Sequence, residues 1–209
     1  MRIIDISDPL SAEMLKYPSV KPFIHHFVRD YSKGDNVCVS SIEMVIHNGT
    51  HIDAPRHYIE NGPGIDEIPI ERFMGTAQVV EAAGPVITEE VLEKAGITEN
   101  MVLIKTPFSD NIRENRPGSP GYFTADAARY LEKRGVQLAG IDSFSVDKEG
   151  DKDKLVHKRL LKAGMLLLEG ICLEGVRPGI YQLICFPLSI RDSEAAPCRA
   201  VLLDEGENV

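Results

Sequence analysis

Three times between Thr88 and Glu169 a stretch that ends on glycine leads into a short apolar run, and this alternation constrains the fold more than any other feature of the chain. Thr88 supplies an N-cap, Glu89 and Glu90 sit where the helix dipole favours acids, and Gly96 closes that helix. Thr124 caps a second helix that ends at Gly135, and residues 153–163 read as a third that stops at Gly164. The runs that follow, at 101–106, 137–142 and 165–169, read as strands, the first of a buried type. Residues 2–7, 37–46, 76–82, 180–186 and 199–203 add further strand candidates. Residues 107–121 carry repeated proline and glycine with mixed charge and read as a loop that could close over a site. Strands outnumber helices, and helices separate some of them but not all. The expectation is an α/β (α+β) domain around a mixed β-sheet. No break in composition divides residues 1–209, so they read as a single domain.

Composition narrows the partners. With 43% apolar and 26% charged residues the 209-residue chain lies near the globular norm, which excludes a disordered tail, a collagen-like fibre and a coiled coil. Lysine and arginine number 23 against 32 acids, and a net charge of −9 repels nucleic acid and anionic lipid. The four cysteines, Cys38, Cys172, Cys185 and Cys198, form no C-x-x-C pair and read as reduced thiols packed as small apolar groups. Arg2 and Asp5 fall where a signal peptide needs apolar residues, and the most apolar runs are far below the ~20 residues of a membrane span. A soluble cytoplasmic protein is expected, with no nucleic acid and no membrane among its partners.

The chemistry gathers in His47-Asn-Gly-Thr-His51-Ile-Asp53-Ala-Pro-Arg-His57, which holds three of the six histidines and one aspartate. Gly49, Thr50 and Pro55 argue against a helix here. In an extended segment alternate residues share a face, so the odd-numbered His47, His51, Asp53 and His57 would line one side, with Gly49 leaving room between them. Imidazoles and a carboxylate together suit zinc, manganese or iron. No H-E-x-x-H, G-x-S-x-G, G-x-x-x-x-G-K or G-x-G-x-x-G occurs, so a zincin protease, a serine hydrolase of the nucleophile-elbow type and the common nucleotide-binding loops are unsupported. A second segment runs from His157 to Glu169. Glu169 ends an apolar run, where a metal would remove the cost of burying its carboxylate and a strand end in solvent would explain it equally well. By residue type alone His157 opens a helix and faces solvent.

The eleven-residue run resembles the H-x-G-T-H-x-D-x-P-x-H signature of the metal-dependent cyclase family, of which bacterial kynurenine formamidases are the best-known members and to which isatin hydrolases also belong. Further matching pieces are Asp5-Ile-Ser-Asp-Pro-Leu, Gly140-Ile-Asp-Ser-Phe-Ser-Val-Asp, His157 twelve residues before Glu169-Gly, Phe186-Pro-Leu and Ala196-Pro-Cys-Arg-Ala-Val, so the resemblance covers nearly the whole chain. It implies a mixed sheet closed into a barrel-like core with flanking helices, and a homo-oligomer, dimer or tetramer. It implies a pair of Zn2+ ions, or Mn2+ in their place, on His47, His51, Asp53, His157 and Glu169, with the two carboxylates bridging. His57 then matches the proton donor and acceptor.

Carried further, the resemblance implies a hydrolase of an amide or formamide bond, with N-formylkynurenine cleaved to kynurenine and formate. Hydroxide supplied by the metal attacks the carbonyl, and His57 carries the proton to the leaving amine. The family's tryptophan in a W-P-G-D segment has no counterpart in a chain that lacks tryptophan; its place falls at Tyr17-Pro18, where Tyr17 can stack on a substrate ring. His25 and His26 follow and read as a solvated strand. Three other readings stay open: a hydrolase of a cyclic amide or lactone, a non-haem iron oxygenase on His47, His51 and Asp53, and a metal-containing binding protein without catalysis.

Overall fold

Alternation within the apolar runs decides the architecture. The computed structural model describes residues 1–204 and Gly206, with Arg113 described by its backbone alone; the expected domain extends to Val209, and positions 205 and 207–209 lie outside the described residues. In chain order come β1 (Arg2–Asp5), β2 (Ile24–Arg29), β3 (Val39–Glu43), β4 (His51–Asp53), β5 (Met74–Glu81), β6 (Val86–Ile87), α1 (Glu89–Ala95), β7 (Met101–Lys105), α2 (Ser109–Arg113), β8 (Tyr122–Phe123), α3 (Ala125–Lys133), β9 (Leu138–Ile141), α4 (Leu155–Lys162), β10 (Leu166–Glu169), β11 (Gly179–Ile184), β12 (Ala195–Pro197) and β13 (Val201–Asp204). Nine strands form one mixed sheet in the order β1-β13-β11-β5-β7-β9-β10-β4-β12. Its centre, β5-β7-β9-β10, is parallel and its flanks are antiparallel.

The sheet curls into a half-barrel. Ala77, Val79, Met101, Leu103, Leu138, Leu166 and Leu168 point into the curl and build the inner core with Ile52, Leu183 and Leu202. Their alternates, Val80, Val102, Ile104, Ala139, Ile141 and Leu167, point outward beneath α1, α3 and α4. Each such valine, leucine, isoleucine or methionine side chain removed from water contributes about 1.5–3 kcal/mol. The helices begin and end much as their sequences require: Thr88 accepts a hydrogen bond from Val91 N and Gly96 closes α1 in the left-handed conformation. Thr124 accepts from Ala127 N at the start of α3.

Four expectations change. Residues 107–121 are not loop throughout, since α2 forms within them. The expected strand over 37–46 is cut to Val39–Glu43, which pairs only with β2 in a two-stranded hairpin. β12, too short and polar at its borders to read from sequence, completes the sheet edge beside β4. Cys38 is exposed, whereas Cys172 and Cys185 are buried as small apolar groups. Among the described residues no helix is long and apolar enough to cross a membrane.

Candidate metal centre

Strand register puts three polar side chains on the outer face of the sheet. Directly opposed residues in a ladder share a face. His51 opposes Glu169 and Asp53 opposes Leu167, while Ile52 and Leu168 alternate inward. Leu167 belongs to the outer core with Val156, Leu160 and Leu161 of α4, so His51, Asp53 and Glu169 face that helix. α4 contributes His157, which is buried rather than solvent-facing as its residue type alone suggested. His47 arrives from the turn before β4, and His57 from the single turn of 3-10 helix Pro55–His57. The four odd-numbered residues therefore meet, but not along an extended chain: only His51–Asp53 is strand, and turns supply the other two.

Gly170 explains why a glycine follows the carboxylate. Its φ is +68°, and a Cβ there would stand 2.3 Å from Gly49 O. That close approach lets Thr50 Oγ1 donate to Gly170 O at 2.7 Å and ties the His47 turn to the end of β10.

The polar atoms converge. His47 Nδ1 lies 3.0 Å from Asp53 Oδ1 and His51 Nε2 3.5 Å from the same oxygen. His157 Nε2 lies 3.5 Å from Asp53 Oδ2 and 3.3 Å from Glu169 Oε1; His51 Nε2 lies 3.4 Å from Glu169 Oε2. His57 Nε2 is 3.9 Å from Asp53 Oδ2. Despite this crowding, both Asp53 oxygens and His51 Nε2 are buried with no aligned hydrogen-bond partner. An orphaned carboxylate in the interior is costly unless a cation compensates it.

Outer contacts aim the imidazoles. His51 Nδ1 lies 2.9 Å from Gly49 O; a carbonyl can only accept, so Nδ1 carries the proton and Nε2 offers a lone pair. Asp147 bonds His157 Nδ1, leaving Nε2 toward Asp53 and Glu169. Asp147 also accepts from the N–H groups of Val156 and His157, so it caps α4 from outside the helix. Histidine ligands held through their second nitrogen are the usual arrangement at protein metal sites. Two overlapping sets, His51-Asp53-Glu169 and His47-Asp53-His57, bring ligand atoms within 4.8 Å of one another. The donor chemistry fits a divalent metal, with Asp53 common to both sets.

Electrostatics agree with that fit. Burial opposes charge on the His47 ring, but Asp53, Glu169 and Glu194 outweigh it and raise its pKa to about 9. Burial likewise opposes charge on His157, yet Glu169, Asp147 and Asp53 hold its pKa well above 6.5. Burial acts against the Asp53 carboxylate too, but His157 and His47 keep its pKa well below the usual range. The buried carboxylates thus draw positive charge into the centre. His57 differs: burial dominates and pushes its pKa below 6.5, leaving a neutral ring.

A cavity of about 290 Å³ opens on these residues. His47, His57, His157 and Glu169 form its floor, and Tyr17, Tyr58, Phe144 and Lys154 stand around it. His25 and His26 lie on exposed β2, outside the cavity lining. Sequence reasoning missed Asp147 and Glu194, whose Oε1 lies 3.3 Å from His47 Nε2. Asp147 had a signal, since it closes the run that begins at Gly140, but nothing local told of its bond to a histidine ten residues on.

Comparisons with known proteins place the chain among related sequences and structures. Residues 4–148 match the model of the Cyclase family, described as "Putative cyclase". A kynurenine formamidase of Bacillus thuringiensis subsp. konkukian is 32% identical over 200 residues, covering 95% of this chain and 96% of that one. The kynurenine formamidase of Bacillus anthracis shows the same identity and coverage. Among solved structures, a potential metal-dependent hydrolase with cyclase activity superposes with a TM-score of 0.84 at 29% identity, over 98% of both chains. Isatin hydrolase A from Labrenzia aggregata, bound to benzyl benzoate, gives 0.82 at 26% identity over 96% of this chain and 93% of that one.

Proposed function

The chain belongs to the cyclase family, and from that membership we infer a metal-dependent hydrolase that cleaves an amide or formamide C–N bond, with N-formylkynurenine as its substrate. The observation that carries this reading is the orphaned, fully buried Asp53 shared by two potential ligand sets beside an open cavity. Residues 1–209 act as one domain. His47, His51, Asp53, His157 and Glu169 would hold the metal, read as two zinc ions per chain. When bound, the cations lower the pKa of water toward ~7 and polarise the substrate carbonyl.

The chain's own residues do the rest. Asp147 and the Gly49 carbonyl fix the tautomers of His157 and His51, so both present Nε2 to the centre. Neutral His57, its Nε2 turned toward Asp53, accepts a proton from the attacking water and returns it to the departing amine nitrogen. Tyr17 and Phe144 flank the cavity and offer ring faces to an aromatic substrate. The likeness to an isatin hydrolase supports one second reading, opening of a cyclic amide at the same centre.

Two further readings concern the assembly and the location of this chain. Every residue of β2 is exposed, and the β2–β3 hairpin presents Ile24, Phe27, Val28 and Ile42 to solvent. A lone two-stranded sheet is marginal in water, and a second copy of the chain covers this one in a homodimer. Free thiols at all four cysteines accord with residence in the cytoplasm.

The test measures metal content by mass spectrometry and formate release from N-formylkynurenine on one preparation. About two zinc per chain with rapid formate release is the expected outcome. Metal with ring opening of isatin, and no formate, favours the second reading. Protein that takes up no metal after reconstitution refutes both.

A further inference from the structure

Among the described residues four that are not glycine have a positive φ: Asn61, Asn115, Asp192 and Lys154. Asparagine and aspartate enter the left-handed region readily, and lysine does not. Lys154 holds φ 50° and ψ 47° immediately before α4, and its side chain makes no capping bond that would account for it. The cap of that helix is Asp147 instead. The Lys154 side chain lines the cavity over the candidate metal centre.

There the ammonium stands where a ligand would meet it. Lys154 is the one lysine or arginine among the residues that line the cavity. Its Nζ lies 3.4 Å from Tyr17 Oη and 5.1 Å above the Tyr17 ring. Asp151 and Asp153 are near in sequence, yet among the described residues no carboxylate pairs with it. Tyr17 Oη accepts from Gly150 N–H at 3.3 Å as well as from Lys154, so its own proton remains to donate. Two donors, one of them charged, stand side by side at the rim. A carboxylate offers two oxygens that only accept. A chain of net charge −9 repels an anionic substrate unless a local cation receives it.

We propose that Lys154 and Tyr17 form a carboxylate subsite, so that the amide cleaved at this centre carries a carboxylate group. This rests on the hydrolase reading above and narrows its substrates to acidic amides, a class that excludes neutral cyclic amides such as isatin. Lys154 selects the substrate and takes no part in proton transfer.

The experiment uses the metal-loaded full-length protein and one matched pair, 2-formamidobenzoate and its neutral analogue 2-formamidobenzamide. Calorimetry with the product-like 2-aminobenzoate and 2-aminobenzamide reads binding apart from turnover. Lys154→Asn removes the charge while placing a residue that favours the left-handed backbone, so its melting temperature should not fall. Lys154→Arg keeps the charge. The expected result is a 10- to 100-fold loss in 2-aminobenzoate affinity for Lys154→Asn, the range of a charge-assisted hydrogen bond, with an equal fall in the acid-to-amide ratio of kcat/KM. Lys154→Arg should retain most of both. Equal affinity of wild type and Lys154→Asn for 2-aminobenzoate, or equal losses for acid and amide, overturns the proposal. If wild type releases formate from neither formamide nor from N-formylkynurenine but still prefers 2-aminobenzoate through Lys154, the subsite stands and the hydrolase reading falls.

Discussion

The two sides of the centre are held by different means. His51, Asp53 and Glu169 sit on β4 and β10, where ladder hydrogen bonds and the inward packing of Ile52 and Leu168 fix the backbone beneath them. His47, His57 and His157 come from a turn, a 3-10 turn and a helix, and their positions rest on side-chain contacts: Thr50 on Gly170, Asp147 on α4. The strand side is buried and carries negative charge; the other side is half-exposed at His47 and His57 and borders the cavity. The difference assigns labour. Rigid strands suit the carboxylates that anchor a cation, whereas His47 and His157 reach the same centre from the more open elements and His57 beside them is placed to meet substrate.

The sharpest way to break this division is Asp53→Ala. Asp53 is common to both potential ligand sets, so its loss should empty the centre and lower kcat/KM by on the order of 10³-fold or more, the scale of several kcal/mol of Lewis-acid stabilisation. Glu169→Ala should also release metal. Metal content of purified protein checks both, and full occupancy in Asp53→Ala would show that the strand side does not hold the ions.

His57→Ala probes the open side. Metal should stay bound while kcat falls ~10²–10⁴-fold, the usual worth of a general acid–base group. Because burial holds its pKa below 6.5, kcat/KM of the wild type should rise through an apparent pKa under that value as the ring loses its proton and becomes a base. That limb should vanish in the variant. Joint loss of metal and activity would move His57 to the ligand side, where its place with His47 and Asp53 in one set would then be explained.

Legibility in the sequence follows the same line. Signals that act within a few residues were readable: the threonine caps of α1 and α3, the glycine that ends α1, the apolar cores of β7, β9 and β10, and the His47 to His57 cluster. Signals that act across the fold were not. Shared parity groups four residues that do converge in space, but an extended run is not what unites them, since Gly49 at φ 70° turns the chain and Pro55 starts a 3-10 turn. His157 read as solvent-facing because its burial depends on Asp147 and on β10 lying beneath α4. Its place in the site came only from resemblance. β12 was invisible because three residues pairing with β4 leave no periodicity.

Asp147→Asn tests the outer support of the open side. An amide in place of the carboxylate weakens the charge on His157 and can accept through only one oxygen where two now serve α4. Metal affinity should fall ~10–100-fold, as for other losses of a partner behind a ligand, and stability by about 1–2 kcal/mol. Titration with a metal chelator and thermal melting read the two effects separately.

Thr124→Ala is the matched control and the smallest effect. Thr124 Oγ1 accepts from Ala127 N at the start of α3 and donates to Ile87 O, and α3 packs on α4 without reaching the centre. Losing the cap should cost about 1 kcal/mol, which lowers the melting temperature of a chain this size by about 2–4 °C. Metal affinity and kcat should not change. The pair then separates two kinds of helix start. The cap of α3 touches no residue of the centre and stabilises the helical layer alone, whereas the cap of α4 is supplied by the same carboxylate that orients His157, so its removal must disturb stability and metal together. If Thr124→Ala weakened metal binding as much as Asp147→Asn, general loosening of the helical layer, and not the bond from Asp147 to His157, would govern the open side of the centre.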